Sequence, residues 1–242
     1  MYICIHKHAV GSLSVATEGC NSELLQPSVR VRPLTKAIAN SQQILSHFPN
    51  IAYNVVGIAA SQGGIPAISA LVSALPSNFP AAIVVIQHIS PNYLSHLSTI
   101  LSYRTALQVK QAETGDLLRP GTIYTPVPNR HVLVKRDGTL TLSDAPKVNF
   151  TRPAADKLFW SLASSYQMRA ITVVLTGSNG DGAMGVVAVK GRGGLVIAQN
   201  EATSECFNMP KAAIETGKVD WVLPLEAIAP TLVNLVMSEK VA

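Results

Sequence analysis

Charge is scarce in this chain. Asp, Glu, Lys and Arg make up only 14% of its 242 residues and aromatics 5%, against 48% apolar residues. That balance excludes a self-repelling disordered chain and supplies ample material for a buried core. The formal charge of +5 is scattered, with no Lys/Arg run interleaved with aromatics, so no nucleic-acid partner is expected. Mild basicity suits docking onto an acidic protein surface instead. The three cysteines, Cys4, Cys20 and Cys206, are odd in number and far apart, which fits a reducing compartment rather than a disulfide framework. Cys4, His6 and His8 alternate near the N-terminus, but no fourth ligand follows at a recognisable spacing, and no metal is expected. Neither a signal-peptide pattern nor an apolar run of bilayer-crossing length is present. The expectation is a cytoplasmic protein without membrane insertion.

Residues 1–50 are rich in Ser, Asn, Gln and Thr and read as an N-terminal extension or linker, with one amphipathic helix over 34–48. Residues 51–240 read as the main domain. Apolar, β-branched strands are predicted at "NVVGIA" (54–59), "AAIVVIQ" (81–87), "AITVVLT" (170–176) and "GLVIAQ" (194–199). Helical patterns lie between or after them, in "PAISALVSA" with Pro66 in its first turn, "PNYLSHLSTILS", "PAADKLFWSLASSY" and "DGAMGVVAVKG". Strands apolar on both faces and separated by helices predict an α/β fold. Its sheet is doubly wound and mainly parallel, with helices on both faces. The middle stretch, "GTIYTPVPNRHVLVKRDGTLTLSD", has short alternating segments and an Asp137-Gly138 turn, and reads as an antiparallel hairpin insertion.

Ligands of an open parallel sheet bind at the carboxyl ends of its strands. Three predicted strands end there in chemistry-bearing residues: "AASQGG" presents Ser61, "VVIQHISP" presents His88 and "VLTGSNGDGAMG" presents Asp181. A serine hydroxyl is a poor nucleophile until a base takes its proton, and a neutral imidazole suits that task near neutral pH. A carboxylate on the other imidazole nitrogen fixes the tautomer and stabilises the imidazolium. The Gly-rich turn after Ser61, through Gln62 and Gly63, would expose the serine oxygen and aim backbone N–H groups at a developing oxyanion.

Each residue also has a plainer role. Ser61 could be a helix N-cap, His88 a satisfied strand-end histidine, and Asp181 a cap of the helix that follows it. Spacing alone leaves these roles evenly matched against a Ser-His-Asp triad. A nucleotide site is disfavoured, because "GIAASQGG" is neither G-x-G-x-x-G nor a P-loop and the second strand ends in Gln87-His88 rather than an acidic residue. His96 is expected on the helix after His88, about two turns from the strand end, and His131 in the hairpin reads as structural or exposed. Arg130 and Arg152 could hold an acidic partner or be solvated surface residues.

From about Asn54 to Val236 the sequence resembles the catalytic domain of the chemotaxis protein-glutamate methylesterases, the CheB family. The blocks that carry the likeness are "GIAASQGG", "ALPSNFPAAIVVIQHISPNY", "GDLLRPGTIYTPVPNRHVLV", "TRPAADKLFWSLA", "VVLTGSNGDGAMG", "GGLVIAQNEATS" and "MPKAAIETGKVDWVLPL", in the same order as in the family. The resemblance places the family's nucleophile on Ser61, its histidine on His88 and its aspartate on Asp181. It implies hydrolysis of γ-glutamyl methyl esters, and often deamidation of glutamines, on the cytoplasmic helices of methylated chemoreceptors, with no metal or organic cofactor. Three departures accompany it. Gln62 replaces the family's threonine. Ser178 replaces a methionine whose backbone N–H serves the oxyanion, and Asn179 replaces a glycine, which is expected to alter the turn that aims that N–H. Residues 1–50 are too few for the phospho-receiver domain common in the family. The resemblance therefore implies an esterase domain that is constitutively active or controlled by a separate regulatory protein. A reading from another class is a catalytically weakened module that docks on receptors or signalling partners.

Overall fold

A computed structural model describes residues 51–89 and 94–237. The extension at 1–50, its 34–48 helix and the Cys4/His6/His8 group lie outside them. β1 (Val55–Ala60) leads into α1 (Gly64–Ser73), β2 (Ala82–Gln87) and α2 (Leu97–Ser102). Next come β3 (Gln108–Gln111), β4 (Thr122–Thr125), β5 (His131–Val134) and β6 (Leu140–Ser143). The chain then runs through α3 (Ala155–Tyr166), β7 (Ala170–Val174), α4 (Ala183–Gly191) and β8 (Leu195–Gln199). It continues through α5 (Asn208–Glu215), β9 (Trp221–Leu223) and α6 (Leu225–Met237).

Seven strands form one sheet in the order β3-β4-β2-β1-β7-β8-β9, and every pairing in it is parallel. The predicted hairpin is present as the antiparallel pair β5–β6. The insertion is smaller than expected, because "TIYT" leaves it and joins the main sheet as β4 beside β2.

Alternation along the buried strands divides the core into two layers. Val55, Ala59, Val84, Ile86, Val174 and Val196 point to the side covered by α3, α4 and α5. Val56, Ile58, Ile83, Val85, Val173 and Ile197 point to the side covered by α1, α2 and α6. Gly57 sets the depth of the first layer. A Cβ there would fall 2.6 Å from Leu162 Cδ1 and 3.1 Å from the Phe159 ring, so α3 rests directly on β1. Chain order reverses between β1 and β7, since β1 leads to one edge of the sheet and β7 begins the other half. The crevice for a ligand is expected at that switch point. Among the described residues no helix is long and apolar enough to cross a membrane.

Candidate active site

β1 and β2 pair with Ala60 opposite Gln87, and the His88 N–H then donates to the Ala60 carbonyl at 3.1 Å. Ser61 and His88 therefore leave adjacent strands side by side. On its other flank Ser61 N–H donates to the Thr176 carbonyl at 3.0 Å, which ties the exit of β1 to that of β7. The Ser61 carbonyl accepts from Gly64 N–H at 2.9 Å and from Gln87 Nε2 at 2.8 Å. The Thr176 hydroxyl lies 2.9 Å from the Gln62 carbonyl and accepts the Cys206 N–H at 2.8 Å.

The turn after Ser61 needs glycine. Gly63 has φ 72°, and a Cβ there would lie 2.7 Å from Glu205 Cβ. Gly63, not Ser61, is the N-cap of α1, so the serine does not take the commoner capping role. Gly177 is equally confined, since an added Cβ would sit 2.9 Å from Ser61 Cβ and 2.8 Å from Met209 Cγ. The Gly177 N–H is spent on the Cys206 carbonyl, whereas the N–H groups of Gln62 and Ser178 have no acceptor among the described residues.

His88 Nε2 lies 2.8 Å from Asp181 Oδ2, with the imidazole 12% exposed and the carboxylate fully buried. Asp181 does not cap the helix that follows it. Its oxygens accept the Ala155 N–H at 2.6 Å and the Asp156 N–H at 3.0 Å, at the start of α3, and the Thr151 hydroxyl at 3.3 Å. Burial alone would push its carboxyl upward. The His88 hydrogen bond and the two backbone N–H groups outweigh that, and hold it below the ordinary carboxylate range. An ionised Asp181 requires the imidazole proton on Nε2, which leaves Nδ1 as the ring's lone-pair nitrogen.

The helix after Asp181 is served in exchange by Asp156, whose Oδ1 accepts the Gly185 N–H at 2.7 Å. Two helix starts thus trade carboxylates across the α3–α4 contact, each anion at a positive helix end. Burial, with repulsion from Asp181, pushes the Asp156 carboxyl upward.

Other residues resolve differently from their sequence reading. His131 is structural: its Nδ1 accepts the Ala154 N–H at 3.2 Å and its Nε2 donates to the Pro146 carbonyl at 3.1 Å. Burial pushes its pKa down, in keeping with a neutral ring. His96 precedes α2 rather than lying on it, because the helix starts only at Leu97. Arg152 spends its guanidinium on Asn129 Oδ1 (2.8 Å) and the Asp144 carbonyl (2.6 Å), holding the loop that borders the site. Arg130 pairs with Asp144 at 3.6 Å. Asn179 does not have a positive φ, so the asparagine sits in its turn without left-handed backbone strain. Sequence reading missed Thr151 and the α3 N-terminus, which touch Asp181 from 30 and 26 residues away. A cleft beside His88 is bordered by Lys147, Phe150, Thr151 and Arg152. Among the described residues no group of three or more His, Cys, Asp or Glu side chains could hold a metal ion.

Comparison with known proteins agrees with this architecture. Residues 56–232 match the family described as CheB methylesterase. The chain is 42% identical over 186 residues to the protein-glutamate methylesterase/protein-glutamine glutaminase of Moorella thermoacetica, covering 75% of this chain and 44% of that protein. It is 41% identical to the Pyrococcus abyssi protein of the same name, covering 50% of it, so it spans about half the length of these relatives. With protein-glutamate methylesterase FrzG of Myxococcus xanthus it shares 38% identity over 86% of this chain and 60% of the relative. The crystal structure of the Thermotoga maritima CheB methylesterase catalytic domain superposes with a TM-score of 0.73 at 38% identity, over 76% of this chain and 98% of that one. The chain, with Ser61, His88 and Asp181 gathered at the carboxyl edge of its parallel sheet, belongs to the CheB methylesterase family.

Proposed function

We propose that this chain is a serine hydrolase that removes methyl groups from glutamate γ-methyl esters on chemoreceptor cytoplasmic helices, and deamidates glutamines there. The observation that carries this reading is the 2.8 Å contact of His88 with a buried carboxylate, beside the strand exit that presents Ser61. In the mechanism, Ser61 Oγ attacks the ester carbonyl while its proton passes to His88 Nδ1. Asp181 stabilises the imidazolium that forms. The N–H groups of Gln62 and Ser178, with the Gly63 turn shaping their approach, face the oxyanion of the tetrahedral intermediate. Collapse expels methanol, protonated by His88. Water, deprotonated by the same ring, then cleaves the acyl-enzyme to the free glutamate. A glutamine side chain would follow the same course with ammonia as the leaving group.

Lys147 at the border of the cleft beside His88 suits an acidic, helical substrate. The proposed reaction takes place in the cytoplasm. The test is methanol release from a methylated receptor fragment by the intact protein and by Ser61→Ala. A loss of about 10³-fold or more on substitution is expected for removal of a triad nucleophile. A second reading, a weakened receptor-docking module, is favoured by the Asn179 amide at His88 Nδ1. Turnover by neither protein on several receptors would select it.

A further inference from the structure

Asn179 stands where the resemblance to the CheB family implies glycine, and its side chain makes two hydrogen bonds. The amide cannot be turned round. Its Oδ1 accepts the Asp181 N–H at 3.1 Å, so its Nδ2 must be the end that faces His88 Nδ1, at 3.2 Å. Asp181 already holds the proton of Nε2. Nδ1 therefore offers one in-plane lone pair, and the Asn179 amide donates to it.

That lone pair is also the one Ser61 needs. We propose that Asn179 is a positioning residue that clasps the base nitrogen of His88 in the resting site, so that Ser61 loses its proton only when the amide gives way. The inference rests on the esterase reading above. Two features make the clasp releasable. Asn179 is half-exposed rather than packed in the core, and its donor is neutral, so one ordinary hydrogen bond opposes the first chemical step.

Two substitutions separate this role from a plain turn cap. Asn179→Ala removes the donor, whereas Asn179→Asp keeps the acceptor for the Asp181 N–H but places a carboxylate beside Nδ1. A clasp predicts that the alanine variant raises kcat about twofold to tenfold, the equivalent of one neutral hydrogen bond, with KM unchanged. It predicts that the aspartate variant lowers kcat, because a carboxylate there favours a proton on Nδ1 and consumes the base. A turn cap predicts the reverse order, and an alanine variant that is slower than or equal to the parent overturns the proposal. The second readout needs no turnover. In ¹⁵N spectra of the full chain, assigned by loss of the signal in His88→Gln, the His88 Nδ1 resonance should move toward that of a free acceptor nitrogen in Asn179→Ala. An unmoved resonance overturns the clasp even if the esterase is active. Methanol release from neither parent nor variant overturns the esterase reading, and with it the brake, even where the resonance moves.

Discussion

Replacing Asp181 with asparagine keeps the shape of the side chain and removes its charge, and the surrounding donors determine the cost. The carboxylate faces four of them. Oδ2 takes the Ala155 N–H, His88 Nε2 and the Thr151 hydroxyl, while Oδ1 takes the Asp156 N–H. An asparagine must turn its NH₂ toward one of these oxygen positions. The less costly choice puts nitrogen at Oδ1, which sets the amide's N–H donors against the Asp156 N–H and leaves at least two buried donors without an acceptor, at about 1–3 kcal/mol each. Loss of the anion from the start of α3 adds about 0.3–1 kcal/mol. The variant should thus be less stable by about 2–7 kcal/mol near neutral pH, read as a lower denaturation midpoint at unchanged m-value. Its oxygen still faces His88, so the ring stays oriented but the imidazolium loses its counter-charge, and kcat should fall about 10³- to 10⁴-fold. The folded-state carboxyl lies below its ordinary value of 3.8. Its contribution is therefore present above that pH and lost as pH falls through the lower folded value, so the stability gap between parent and variant should close in acid. Lost activity at full stability would refute the helix-capping role, and lost stability at full kcat would refute the catalytic one.

Gly177→Ala should displace Ser61 and Met209, since the new Cβ falls within 2.9 Å of both side chains. The expected cost is about 1–3 kcal/mol of stability and a slowed covalent labelling of Ser61 by a fluorophosphonate, and labelling at the parent rate would refute the crowding argument. Asp156→Asn removes a buried carboxyl whose folded value is raised by burial and by Asp181. The parent loses stability as pH rises from the ordinary value of 3.8 through that raised one, so the variant's denaturation midpoint should depend less on pH there; an equal slope would set this aside.

The strands β1, β2, β7 and β8 were legible because they are buried on both faces, and a run such as "AAIVVIQ" has no other use in a protein of this composition. β3 was not, because "QVKQ" is exposed or half-exposed throughout and carries no apolar signal. β9 is three residues long and reads as part of a loop. "TIYT" misled in the opposite way. Its alternation suits a hairpin, and the Asp137-Gly138 turn nearby reinforced that reading, yet all four residues are buried because β4 lies inside the sheet between β3 and β2.

The site divides along the same line between local and distant causes. That Ser61 and His88 would be neighbours follows from parallel pairing, since two strands in register deliver their next residues to one edge. The receiving end of Asp181 does not follow from anything local. Its partners lie 25 and 26 residues back in the chain, at the start of a helix whose Phe159 and Leu162 settle on β1 over Gly57. The same logic applies to Asn179. Read locally, asparagine for glycine is a question of φ, and the turn proves indifferent to it. What the substitution changes is the far end of the side chain, where an amide oriented by the Asp181 N–H meets a histidine 91 residues away. Under the clasp proposed above, a glycine at this position would leave the base nitrogen to the serine alone, whereas an asparagine would make the serine compete for it.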